Sequence, residues 1–192
     1  MSVQSSDLLY IDEVKHVLID VEKGKQIINA VVFAEPDIDG DWIITNTGCW
    51  RGYTAVYRVI DNTLHGIKSV QVPHSFNSDG YYDSQLTMIP YTGSCIVARF
   101  NDEKAWSNSD FLECYLDYDE AYELYFENGA LKERLLLSSA ITEYRDFKNT
   151  DIYMNQLQPF DRGKLRDSLS RRDLKYEYDY KSYKWRDNND SW

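Results

Sequence analysis

The dipeptide Asn128-Gly129 constrains this chain more than any other feature. Both residues enter positive φ easily, as the two-residue turn of an antiparallel hairpin demands. Strand-like residues flank it, so 130–137 is predicted to fold back on 122–127. A second hairpin is as plain. Tyr53, Ala55, Tyr57 and Val59 alternate with Thr54, Val56, Arg58 and Ile60, which places the two sets on opposite faces of one strand. Asp61-Asn62-Thr63 turns the chain, and residues 64–70 return beside it. Further strands are predicted at 8–11 and 16–19 around Asp12-Glu13, and at 27–33, 42–45, 94–100, 111–115 and 121–126. Residues 71–92, rich in Pro, Ser, Asn, Gly and Asp, are predicted as a long loop with a brief element near 86–89.

After Ser138 the period changes. Ile141, Tyr144 and Lys148 have helical spacing, and Tyr153, Met154 and Leu157 repeat it. Asn149-Thr150-Asp151 suits the cap of the second short helix, Pro159 punctuates, and Asp161 suits the cap of a basic helix. The tail alternates Tyr with charge and reads as an edge strand or a frayed end. The expected fold class is α+β: a predominantly antiparallel β-sheet core with short C-terminal helices. The expected division is a β-rich core domain over 1–137 and a helical extension with a charged aromatic tail over 138–192.

Composition limits the function. The 192 residues are 43% hydrophobic and 15% aromatic, a globular balance, and 16 Tyr with 5 Trp favour strands. The net charge of −11 repels phosphate backbones and anionic lipid, so neither nucleic acid nor membrane is an expected partner. Cys49, Cys95 and Cys114 lack zinc or redox spacing, and free thiols are the simplest account. The first twenty residues carry early charges and no long apolar run, so the expected location is the cytoplasm.

Charge is segregated along the chain. Residues 101–127 hold nine acids and one base, whereas residues 161–192 hold nine bases and seven acids. The two regions can dock on each other within the molecule, the acidic stretch can face a partner, or it can be a solvated face.

The segment Trp50-Arg51-Gly52-Tyr53, with its strand, Asp-containing turn and returning strand to His65, resembles a pattern in a group of uncharacterised bacterial proteins. Val97-Ala98-Arg99-Phe100 with Trp106, and residues 122–131, are similar to the same group. The likeness covers roughly residues 8–137 and departs where the pattern has Trp-Glu, since Tyr57-Arg58 stand here. It implies a small β-rich bacterial domain, similar to the acidic immunity proteins of toxin systems. It implies no catalytic residue.

Catalytic and metal patterns are weak. Asp37, Asp39 and Asp41 start like a calcium loop, but Trp42 and Gly48 stand where Gly and a bidentate acid are needed, so a polar turn is the better reading. His16, His65 and His74 lack diagnostic zinc spacing, and no signature joins any of them to a nucleophilic Cys. No phosphate-binding loop or nucleophile elbow is present. No catalytic residue, metal or cofactor is expected. The function expected first is therefore protein binding, an immunity-type protein that inhibits a basic toxin domain. Its surface would be Asp102, Glu103, Asp110, Glu113, Asp117, Asp119, Glu120 and Glu123, with Trp106, Tyr115 and Tyr118 as apolar anchors. If 113–117 is extended, Glu113, Tyr115 and Asp117 share a face. The alternative is a small hydrolase or ligand-binding domain with a pocket lined by Tyr and Trp.

Overall fold

The computed structural model describes residues 7–25, 27, 53–70, 86–102 and 114–178. Three tight hairpins organise it. Asp12-Glu13 joins β1 (Leu8–Ile11) to β2 (Val14–Val21), and Asp61-Asn62 joins β3 (Tyr53–Ile60) to β4 (Thr63–Val70). Two strands follow, β5 (Thr87–Met88) and β6 (Gly93–Arg99). Asn128-Gly129 then joins β7 (Glu120–Glu127) to β8 (Ala130–Leu136). Both residues of each turn have positive φ, from 48° at Asp61 to 81° at Gly129. That geometry carries the twist the flanking strands need. Gly129 has a second reason to lack a side chain, because a Cβ there would run into the Ile89 carbonyl oxygen.

The strand order is β3-β1-β2-β6-β7-β8-β4-β5, and β3 also pairs with β4. The sheet therefore closes into a barrel with β5 outside the ring. Neighbours are antiparallel except β1 and β3, which run parallel from Leu8↔Val56 to Ile11↔Val59. Closure is thinnest between β4 and β8, where the strand register is Thr63↔Ala130 alone, extended by the Leu131 N–H bond to Asn62 O.

Closure gives the sheet two apolar faces. Leu9, Leu18, Tyr57, Cys95, Val97, Leu124 and Phe126 fill the lumen. Val17, Ile96, Ala98 and Ala121 point outward and meet Tyr115, Leu116, Tyr118 and the helical residues. This is why β6 is buried along nearly its whole length and reads as continuous rather than alternating. α1 (Ser138–Lys148) buries Ala140, Ile141 and Tyr144 on one face. A π-helical turn (Ile152–Gln156) leads to α2 (Pro159–Arg172), which buries only Leu169 and Ser170. The helices therefore pack on the outside of the barrel through a shared apolar cluster.

The expected fold class holds, with strands, hairpins and C-terminal helices where the sequence placed them. Three local expectations differ. Tyr115 opens a 3-10 turn (Tyr115–Asp117) instead of ending a strand; residues 111–113 lie outside the described residues. Pro159 starts α2 rather than punctuating before it, since its fixed φ suits the first helical position. Asp161 falls in the first turn and is not the cap. Thr150, within the expected capping run, accepts the Tyr153 N–H at 3.3 Å on its hydroxyl. Of the strand expected at 27–33 only Ile27 is described, a buried residue in a bend, and the strand expected at 42–45 lies outside the described residues. The tail continues the sheet locally, with Tyr178 bridging Glu22.

Among the described residues no helix is long and apolar enough to cross a membrane.

Candidate functional site

The acidic stretch divides into three parts. Asp102 is exposed, as expected of a contact residue. Glu103, Trp106, Asp110 and Glu113 lie outside the described residues. The remainder, from Tyr115 to Glu123, is largely committed inside the molecule.

Tyr115 and Tyr118, expected as exposed anchors, are fully buried. Tyr115 donates its hydroxyl to Ser170 O at 3.0 Å, and Tyr118 packs against Phe100 with ring centroids 4.7 Å apart. The cause is local. The 3-10 turn rotates Tyr115 and Leu116 inward, so residues 115–117 do not share a strand face. Asp117 meets Arg166 of α2 and lies 3.9 Å from Lys148 Nζ of α1. Asp119 accepts Arg145 at 2.9 Å and the Asn101 N–H at 3.0 Å. Glu120 accepts Arg99 at 2.6 Å and the Tyr122 hydroxyl. Burial alone would raise the Glu120 carboxyl; the Tyr122 hydroxyl and Arg99 outweigh it and hold it below its ordinary value.

Glu123 is also internal, only 1% exposed. Its carboxylate accepts the backbone N–H of Lys175 and of Tyr176, each at 3.0 Å, and the Tyr178 hydroxyl at 2.7 Å. It fastens the C-terminal segment to the barrel wall. A buried carboxylate needs such donors. The docking of the acidic stretch on the basic helices is thus what 117–119 actually do.

A second constellation stands at one end of the lumen, and the sequence reading did not assemble it. Val17↔Ala98 pairing sets His16 beside Arg99, and Arg99 pairs with Glu120 across the next strand boundary. Tyr122 lies one inward position further along β7. Arg134 of β8 covers the Tyr122 ring, its guanidinium 4.0 Å from the centroid, and reaches Asp12 of the β1–β2 turn at 3.1 Å. His16 is 1% exposed and edge-on to Tyr122, with centroids 6.0 Å apart. Its Nδ1 lies 2.9 Å from Val14 O, which can only accept, so Nδ1 carries the proton. Nε2 is then a lone-pair acceptor, and it is buried without a partner. Burial lowers the imidazole pKa to about 4; Arg99 and Arg134 add to this, while the Val14 carbonyl and Glu120 oppose it. The signal in the sequence was only the inward phase shared by residues 16, 99, 120, 122 and 134, and phase becomes position only once the strand order is fixed.

The other candidate chemistry is quiet. Burial raises the thiols of Cys95 and Cys114 above their ordinary value, so neither is an activated nucleophile. Cys49, His74 and the Asp37–Asp39–Asp41 run lie outside the described residues. Among the described residues no three His, Cys, Asp or Glu side chains gather to hold a metal ion. An open groove of about 660 Å³ runs along α1, lined by Ser138, Thr142, Glu143, Asp146 and Phe147 among others, and neither Tyr nor Trp lines it.

No protein-family model matches the chain, and no curated protein or solved structure matches it significantly.

Proposed function

We propose that this protein is a protein-binding module of the immunity type, which takes a basic partner such as a toxin domain on the acidic segment that begins at Asp102. One observation carries the reading. The chain points on either side of that segment are tied together: Asn101 N–H donates to the Asp119 carboxylate at 3.0 Å, and Asp119 N–H donates to Arg99 O at 3.1 Å. The barrel end thus fixes both ends of the segment that contains Asp102, Glu103, Trp106, Asp110 and Glu113, with Lys104 its one base. Segments anchored at both ends on a rigid scaffold are a usual seat of recognition.

The net charge adds long-range attraction for a basic partner, although residues 103–113 themselves carry only −2 of it. The described residues contain 20 Asp and Glu against 16 Lys and Arg, which leaves most of the −11 to the rest of the chain. At least ten of those 16 bases already hold carboxylates. The surplus acid has few internal counter-charges left, and it would steer a basic partner from a distance. The surface proposed here is narrower than the whole 101–127 stretch, because Asp117, Asp119, Glu120 and Glu123 are spent within the fold.

The test is a pull-down from host lysate at low and high salt, with mass spectrometry. The expected result is one basic protein, retained at low salt and weakened by salt. Retention of no protein at either salt would overturn the reading.

A further inference from the structure

We propose that the barrel end at His16, Arg99, Glu120, Tyr122 and Arg134 is a binding site for a small hydroxycarboxylate, whose carboxylate replaces Asp12 on Arg134 and whose hydroxyl donates to His16 Nε2. This inference uses no residue of the acidic segment 102–113, and it stands or falls independently of the protein-binding reading.

The argument starts from the orphan atom. A buried acceptor left without a donor costs about 1–3 kcal/mol. The fold carries that cost at His16 Nε2 although the ring is otherwise anchored, through Nδ1, to Val14 O. A ligand that brings a donor recovers it. The donor is a hydroxyl rather than an ammonium, because His16 sits in the field of Arg99 and Arg134, which outweighs that of Glu120 and repels a third cation.

The carboxylate follows from the two guanidinium groups. Arg99 is engaged by Glu120, and the pair is mostly shielded, with side chains 27% and 21% exposed. Arg134 is engaged by Asp12, whose side chain is 81% exposed. Such an exposed pair contributes about 0–1 kcal/mol. A ligand carboxylate therefore displaces Asp12 at little cost and can bind the guanidinium fork with two oxygens. The rim is apolar. Val14 shares the inward phase of His16, and Leu136 is paired with Tyr122; they are 39% and 55% exposed. A short carbon chain between the carboxylate and the hydroxyl suits that rim. Tyr122 stands over the imidazole and is held there by Glu120 and the Arg134 guanidinium, so the ligand must replace both contacts as the ring turns aside and its hydroxyl reaches Nε2.

The experiment titrates the intact protein with two matched pairs, lactate against propionate and malate against succinate. Binding is read by the ¹⁵N shift of His16 Nε2 and by thermal stabilisation. The expected result is an upfield Nε2 shift with the hydroxy acids only, and affinity about tenfold above the deoxy partner, the worth of one neutral hydrogen bond. Arg134→Gln should weaken both members of each pair, and His16→Leu should abolish the difference between them. Should His16→Leu fail to fold, the Nε2 shift in the native protein decides alone. Equal binding of both members, or no binding of any at about 10 mM, overturns the proposal.

Discussion

Glu123 offers the sharpest test of how the C-terminal segment is held. Replacement by Ala removes the acceptor of three donors at once: Lys175 N–H, Tyr176 N–H and the Tyr178 hydroxyl. Hydrogen bonds to a charged group contribute about 1.5–3 kcal/mol each, and they are not additive. A sum near 9 kcal/mol is therefore a ceiling. The segment has a cheaper escape, since it can leave the barrel and expose its donors to water. What it then loses is the Tyr176 stack on Tyr125, the burial of Tyr178 and the Glu22 bridge. The expected cost is about 2–4 kcal/mol, expressed as local opening rather than global unfolding. α2 keeps its own anchors, Arg166 on Asp117 and Tyr115 on Ser170 O. Amide hydrogen exchange of Glu123→Ala should show accelerated exchange over 174–178 with β6, β7 and α2 still protected. The control is Glu177→Gln, which breaks an exposed pair with Lys23 and should cost less than about 1 kcal/mol. If protection over 174–178 is unchanged in Glu123→Ala, the carboxylate is not what holds the segment.

Two further outcomes follow from the barrel. His16 is neutral when folded and has its pKa depressed to about 4, whereas the unfolded chain binds a proton near 6.5. The unfolded state thus holds more protons between those values, so stability rises with pH from about 4 to 6.5 and is flat above, by about 3–3.5 kcal/mol in total. Urea titrations across pH should show this slope in the native protein and lose it in His16→Leu; an identical slope in both would refute the assignment. Gly129→Ala places a side chain at φ 81° against the Ile89 carbonyl, and should cost about 1–3 kcal/mol in urea unfolding, whereas a neutral result would mean that the turn tolerates L-residues.

Much of the fold was legible because its strongest signals are local. Asn128-Gly129, Asp61-Asn62 and Asp12-Glu13 each close a two-residue turn, and the alternation in Tyr53–Ile60 sets a lumen face through Ala55 and Tyr57. Barrel closure was not legible, because it depends on the parallel β1–β3 pairing and on β3 bonding β4, which no local pattern encodes. The acidic stretch was misassigned in part for a related reason. Tyr115 and Tyr118 have a polar tip and an apolar body, so composition fits a surface anchor and a core residue equally. Only the 3-10 turn decides that both go inside. Glu123 looks like any surface acid until the segment at 175–178 brings it three donors. The His16 constellation was invisible as a site, since its members are spread from residue 16 to residue 134 and meet only through strand order.

The most direct test of the functional account is the association rate of the partner with two variants, measured over a range of salt. Asp102→Asn, Glu103→Gln, Asp110→Asn and Glu113→Gln together should slow association by tenfold or more at low salt and flatten its salt dependence. Glu143→Gln, Asp146→Asn, Asp151→Asn and Asp161→Asn together, an equal loss of four acids at exposed positions of the helical segment, should leave both nearly unchanged. Equal effects from the two variants, or none from the variant at 102–113, would contradict the claim that the acidic segment beginning at Asp102 is the partner surface.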